Sequence, residues 1–250
     1  LLATVIVLCC LVSVADAAFE GARYRRDAER HFARGITAYD REDLELARES
    51  FRAVADLPAN QRSGAALLML TRTMIRLGAG FGSGPEAAVA YSAAIEASRE
   101  LTHAAPNSRY TADARLLTGD AYHQLKRFYE AATQYARILD GPDGPAPLAV
   151  QASAAERLAA IVGNRAITKG ALDRIRLQLG DMRLADALLF GQARWYGRLG
   201  WTQQSRERFA VYVDSIGPAG MFHNLARAGL SGQRPAEPAF HMGPEPEAPP

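Results

Sequence analysis

Cysteine is almost missing from this chain. Its 250 residues hold only Cys9 and Cys10, both at the extreme N-terminal side. Everything downstream is therefore without a disulfide, a thiolate metal site or a cysteine nucleophile. Net charge is also nearly absent, at +2, which removes any bulk electrostatic argument for nucleic acid. Past residue 20 there is little alternation of β-branched residues, and Ala, Leu and Arg dominate, so an all-helical class is expected. The five histidines, His31, His103, His123, His223 and His241, include no i, i+4 pair and no His-Glu-x-x-His, so no metal site is predicted. No cofactor motif is present either. The glycine-rich stretch Gly78–Gly84 has neither the lysine nor the preceding strand that a phosphate loop needs, and reads as an extended turn.

What is present begins with an apolar run, Leu1 to Val14, broken only by Thr4 and Ser13. It leads into Ala15-Asp16-Ala17, a small-residue pattern before Ala18, and reads as a secretory signal peptide cleaved after Ala17. It has no leading Met or basic segment, as in a clipped start. A membrane anchor is the rival, but the run is shorter than the roughly 20 residues a span requires. Lipidation at either cysteine would call for a small preceding residue, and Leu8 and Cys9 are not small. The predicted organisation is a leader at 1–17, a helical domain at 18–231, and a disordered Pro-rich tail or linker at 232–250.

A single spacing recurs through the helical domain. Gly119 is followed by Tyr122, Ala131 and Tyr135, at three, twelve and sixteen residues. Gly35 is followed at the same offsets by Ala38, Ala47 and Phe51, and Ala193 by Tyr196, Ser205 and Phe209. Small residues let two helices approach, and bulky ones fill the space beside the crossing. Two weaker sets follow the rule, Ala159, Val162, Ala171 and Ile175, and, with about four extra turn residues, Thr71, Met74, Ala87 and Tyr91. Helices are expected near 22–40 and 43–57, 62–77 and 85–104, 107–125 and 127–140, 148–163 and 165–179, and 182–199 and 201–216. A last helix near 219–230 would cap the stack. The rival is an irregular helical bundle in which these offsets are ordinary core periodicity.

The spacing resembles the tetratricopeptide repeat, a helical hairpin of about 34 residues. Leu116-Leu117-Thr118-Gly119-Asp120-Ala121-Tyr122 looks like its first helix, and Lys126-Arg127-Phe128-Tyr129-Glu130-Ala131-Ala132 like its turn and second-helix start. The early Trp of the family is replaced by Arg115, and the terminal Pro falls one place early, at Pro142. The resemblance covers about residues 22–230 and implies a right-handed superhelical stack of about five hairpins with a C-terminal capping helix. It also implies a concave face lined by first-helix residues, here Arg72, Arg76, Asp120, His123, Gln124, Arg194 and Arg198. Four arginines in one groove would hold an extended acidic peptide through paired carboxylate bonds, unless these are merely solvated surface positions.

Two further features bear on function. Arg23, Arg26, Arg30 and Arg34 form a basic stripe on the first helix. It reads either as a solvated face with local ion pairs or as a docking strip for an acidic partner or anionic headgroups, giving peripheral association with the envelope. Glu49-Ser50 with Leu68-Met69 is similar to the signature of lytic transglycosylases, but the flanking Gly and Gln are replaced by Leu67 and Leu70. The expectation is a non-enzymatic, periplasmic interaction scaffold of a bacterial envelope. It would bind a protein or peptide partner, without nucleic acid and without a membrane span in the mature chain. The alternative is an accessory module of a larger envelope protein, of solute-binding or penicillin-binding-protein activator type, that continues past the Pro-rich tail.

Overall fold

In place of alternating strands, the chain folds into eleven α-helices and one 3-10 turn, with no strand among the described residues. The structure is a computed structural model and describes residues 2–58, 60–141 and 146–232, with backbone only for 2–20. The predicted leader side chains and the tail from 233 onward lie outside the described residues. No described helix is long and apolar enough to cross a membrane. The helical region divides into two compact units between Ala90 and Tyr91.

The first unit holds α1 (Leu2–Asp40), α2 (Leu44–Ala55), α3 (Ser63–Gly80) and the start of α4 (Pro85–Ala104). α1 and α2 pack as a hairpin, and α2 packs on α3. Gly35 is where the hairpin crosses. A Cβ there would lie 2.6 Å from Cε1 of Phe51, so only glycine admits the ring. Ala47 and Phe51 are fully buried, as the spacing predicts. Asp43 caps α2 by accepting from the Leu46 N–H at 3.2 Å.

The second unit holds the remainder of α4, then α5 (Thr111–Gln124), α6 (Phe128–Asp140), α7 (Leu148–Gly163), α8 (Lys169–Leu179), α9 (Asp181–Arg198), α10 (Thr202–Ser215) and α11 (His223–Leu230). α5 with α6 and α9 with α10 are two of the hairpins the spacing predicts; the expected partner of α7, α8, packs instead on α6 and α9. Gly119 repeats the arrangement at Gly35, since a Cβ there would fall 2.3 Å from Cε1 of Tyr135. At the α9–α10 crossing Ser205 Oγ donates to the Ala193 carbonyl at 2.8 Å. A 3-10 turn, Gly217–Ala219, precedes α11, which therefore starts later than the predicted 219.

The turns are as alike as the crossings. Glu42, Lys126 and Gly200, each seven residues past the small one, have left-handed φ of 64°, 61° and 80°. The next residue then donates backward: Asp43 to Ala38 O at 3.0 Å, Arg127 to Tyr122 O at 2.9 Å, Trp201 to Tyr196 O at 2.9 Å. This is the Schellman ending, which satisfies carbonyls left open at a helix terminus.

The α7–α8 pair departs from this pattern. Its left-handed residue is Arg165, φ 53°, and Ala166 donates to Ile161 O at 3.0 Å. Leu158 and Ile161 therefore hold the places expected for Ala159 and Val162, a shift of one residue toward the N-terminus. Thr168 caps α8, accepting from Ala171 N at 3.2 Å, and so delays α8 to Lys169 against the predicted 165. α8 then packs on α6 and α9, and α7 packs most closely on α9. At that α7–α9 contact the two backbones nearly touch: a Cβ on Gly191 would lie 2.2 Å from the Ala155 carbonyl oxygen.

This crossing yields a test with an internal control. Gly191→Ala pushes the two backbones away from each other, and overpacking of this kind costs about 1–3 kcal/mol. Gly170→Ala in α8 meets nothing within 4 Å and should stabilise by about 0.4–1 kcal/mol. Urea unfolding of both variants checks the pair, and equal midpoints would contradict the crossing.

Candidate functional site

The predicted inner positions of the second unit converge on a chain of charges across α5, α7 and α9. Asp120 on α5 accepts from Arg157 Nε at 2.6 Å and from Tyr135 OH at 2.9 Å. Arg157 stands next to Glu156 on α7. Glu156 is buried, with its side chain 6% exposed, and receives Arg194 Nε at 3.0 Å and the guanidinium of Arg198. Arg194 and Arg198 are separated by four residues on α9 and so lie on one helix face. Both carboxylate oxygens of Glu156 are used, Oε2 by Arg194 and Oε1 by Arg198.

This changes what the arginines can do. Arg194 is only 8% exposed, and its charge is committed to Glu156. A buried carboxylate is tolerated only when paired and hydrogen-bonded, so Arg194 serves the fold before it serves a ligand. Arg198 is 56% exposed and keeps donors facing solvent. The expectation of four arginines open to a peptide is thus revised in this unit: Arg198 is open and Arg194 is not. Gln124, the last residue of α5, is exposed. His123 is half-buried and meets Phe128 edge-on, with ring centres separated by 5.2 Å.

In the first unit, Arg76 on α3 donates to Glu42 Oε1 at 2.8 Å and to Tyr39 O at 3.4 Å, with its guanidinium 4.7 Å above the Tyr39 ring. It holds the α1–α2 turn rather than standing open. Arg72 lies one turn earlier on α3, half-buried. Along α1, Asp27 sits between Arg23 at 3.9 Å and Arg30, which matches the local-pair reading of the basic stripe. Glu49 is exposed on α2, outside any apolar enclosure. Among the described residues no group of three His, Cys, Asp or Glu could hold a metal.

Sequence reasoning misses three members of the network, Glu156, Arg157 and Tyr135 in its polar role. One signal exists: Glu156-Arg157 is the only charged pair in the apolar run from Leu148 to Val162. A second polar knot also escapes it. Asp186, buried, accepts from Tyr212 OH at 2.6 Å and Met221 N at 2.8 Å, and Tyr212 OH accepts from Phe222 N at 3.0 Å. It ties the capping helix to α9 and α10.

The network predicts unequal mutational costs. Glu156→Ala leaves Arg194 buried and unpaired, which costs about 3–5 kcal/mol. Arg198→Ala loses an exposed arm of the same pair, worth about 0–1 kcal/mol. Chemical denaturation of the two variants reads the difference, and comparable losses would show that Arg194 is not the buried partner.

A pH effect follows from His123. Burial lowers its pKa below the usual 6.5, Lys126 and Arg157 lower it further, and Asp120 opposes them. Below about pH 6.5 the unfolded chain takes up a proton that the folded site resists, so stability falls as pH falls through that range. His123→Gln should flatten the slope of unfolding free energy as pH falls below about 6.5. An unchanged slope would place the cause elsewhere.

Scanned against protein-family models the chain matches none, and comparison with curated proteins and with solved structures returned no match either.

Proposed function

We propose that the chain is a non-enzymatic interaction scaffold of tetratricopeptide-repeat type, exported to the periplasm, that holds a segment of a partner protein. The observation that carries this reading is the recurrence of one crossing and one turn. A small residue, a left-handed residue seven places on and a backward hydrogen bond from the next one occur at 35–43, 119–127 and 193–201. Hairpins built alike stack alike, so a right-handed superhelical array of about five, closed by α11, is the arrangement they favour. Export rests on Leu1–Ala17 as read from the sequence.

The partner face we assign is that of α5, α7 and α9. There His123, Gln124 and Arg198 carry accessible polar groups on a frame made rigid by Asp120–Arg157 and Glu156–Arg194. In the first unit, taken by itself, Arg72 and Arg76 hold the same register positions of α3, with Arg76 taken up by Glu42 and Tyr39. Arg198 selects for a carboxylate, because its fork can still offer donors outward while Glu156 holds one side. A rigid frame lowers the ordering cost of binding, which is how a shallow polar face reaches useful affinity.

Site-specific photo-cross-linking in a bacterial host that expresses the chain tests this. A cross-linkable residue at Gln124 or Arg198 should capture one discrete protein species from the periplasmic fraction. The same residue at Glu45, exposed on α2, should not. The recovered chain should begin at Ala18, and capture in vitro should weaken with salt as the Debye length shrinks below about 8 Å. Equal adducts at all three positions, or none, would remove the assigned face. A chain that retains Leu1 in the membrane fraction would remove the export reading.

A further inference from the structure

The outward face of α1 carries charge that the fold does not use. Arg23, Arg26, Arg30 and Arg34 follow one another at three, four and four residues, so they stand in one row, roughly 16 Å long at 1.5 Å per residue. All four are exposed, and Arg23, Arg26 and Arg30 line, with Asp27 and His31, an open hollow of about 560 Å³. Local pairing accounts for only part of the row. Asp27 faces Arg23 at 3.9 Å and binds Arg30, whereas Arg26 and Arg34 make no ion pair among the described residues. Glu29 does not neutralise them, because both its oxygens accept from Arg62, at 2.7 and 2.8 Å. The row therefore sets four guanidiniums against one carboxylate.

The opposite side of the helix is closed. Ala28, Phe32 and Ala38 are buried, and Gly35 receives the ring of Phe51. From residue 21 on, α1 thus has no apolar face left to insert into a bilayer, and its outward contacts are electrostatic. Beside the arginines lie Ala33 and Thr37, both exposed and small, so nothing there is shaped to grip a partner's side chain. What the row offers is charge density and planar donors that take phosphate oxygens in pairs. A flat anionic surface fits this best. It senses charge within a Debye length of about 8 Å, so it meets the row and not the near-neutral remainder of the chain. A long soluble polyanion that wraps the molecule would also meet its 27 acidic residues, in a chain whose net charge is only +2.

We propose that the row Arg23, Arg26, Arg30 and Arg34 is a docking strip for the anionic phospholipid headgroups of a membrane surface. Headgroup phosphates take the outward donors of Arg26 and Arg34 first. The Asp27 pairs, exposed on the arginine side, are weak enough to give up Arg23 and Arg30 as well. Each arginine close to an anionic surface raises partitioning about fivefold, so the row holds the chain there reversibly, with no part of the strip inserted. The inference goes beyond the scaffold reading and does not rest on it, since it uses α1 alone.

Partition of the full chain onto sedimented vesicles tests this. The vesicles are phosphatidylcholine alone or phosphatidylcholine mixed with phosphatidylglycerol, and the readout is the ratio of the two partition coefficients. Any affinity of the apolar Leu1–Val14 run for lipid enters both and cancels. The parent should favour the anionic vesicles. A variant carrying Arg26→Gln, Arg30→Gln and Arg34→Gln should lower the ratio about a hundredfold. Its melting temperature should match the parent's, because all three positions are exposed. A variant carrying Arg206→Gln, Arg208→Gln and Arg227→Gln loses the same charge from exposed positions of α10 and α11, and should keep the parent's ratio. Equal ratios for the two variants overturn the proposal. Loss of the preference to inorganic phosphate at constant ionic strength also overturns it, and assigns the hollow to a single soluble phosphate. So does retention on immobilised heparin at a salt concentration that already abolishes the vesicle preference, which assigns the row to a linear polyanion.

Discussion

The close approach of α7 and α9, in the second unit, governs what surrounds it. Gly191 brings one backbone against the carbonyl of Ala155, a distance that any side chain would block. Glu156 is the residue after Ala155, and Arg194 is three past Gly191, on the same face of its helix. The buried ion pair is therefore a consequence of the glycine. At ordinary helix spacing of about 8–10 Å an arginine would reach the surface, and Glu156 would have no partner at its depth. Steric contact sets the geometry, and the charges then hold the helices to it, because separating them exposes two half-solvated ions.

The same logic recurs with other residues. Glu29 on α1 receives Arg62, at the start of α3, through two parallel bonds of 2.7 and 2.8 Å. Asp120 on α5 receives Arg157 on α7, and Glu156 on α7 receives Arg194 on α9. In each case the acid belongs to an earlier first helix and the arginine to the next one, 33, 37 and 38 residues later. Apolar packing between such helices is non-directional and would allow them to slide. Paired guanidinium and carboxylate groups admit one register, and that specificity is their main contribution, since exposed members of such pairs add little stability. Arg62, Arg157 and Arg194 thus belong to the spacing of the helices, whereas Arg198, which remains exposed, keeps donors for recognition.

What can be read in advance divides along the range of the interaction. Gly35 with Phe51 and Gly119 with Tyr135 are separated by sixteen residues, inside one hairpin, and their spacing alone announces the crossing. The helix limits follow for the same reason, as at 148–163, which the structure reproduces as Leu148–Gly163. Gly191 is not legible, because its counterpart Ala155 lies 36 residues away on a helix rich in alanine, where no one alanine stands out. Glu156 escapes for a related reason: an acid in a helix reads as surface until the helix that buries it is in place. Arg72, Arg76, Arg194 and Arg198 do lie on first helices, but helix position does not reveal a partner, so from sequence Arg194 reads as a ligand-binding group. In the fourth hairpin the one-residue error traces to Thr168, whose cap lengthens the turn while the aliphatic pattern continues unbroken.

The final hairpin shows how burial is decided by what lies beside a side chain rather than by its hydrophobicity. Its aromatic residues separate into two sets. Phe190, Phe209, Tyr212 and Phe222 cluster with ring centres 4.3 to 5.8 Å from Phe190, and all four are buried. They are covered because α11 lies over them, held by the Asp186 carboxylate, which joins Tyr212 OH to the backbone entering that helix. Burial and the Asp186 bond together push the Tyr212 pKa well above 10, so the phenol stays a donor across the physiological range. Trp195, Tyr196 and Trp201 pack just as regularly, yet Trp201 faces outward because no described helix covers that side. Burial in this hairpin thus follows the reach of α11: the rings it covers are core, and Trp201, on the side it does not reach, stays at the surface.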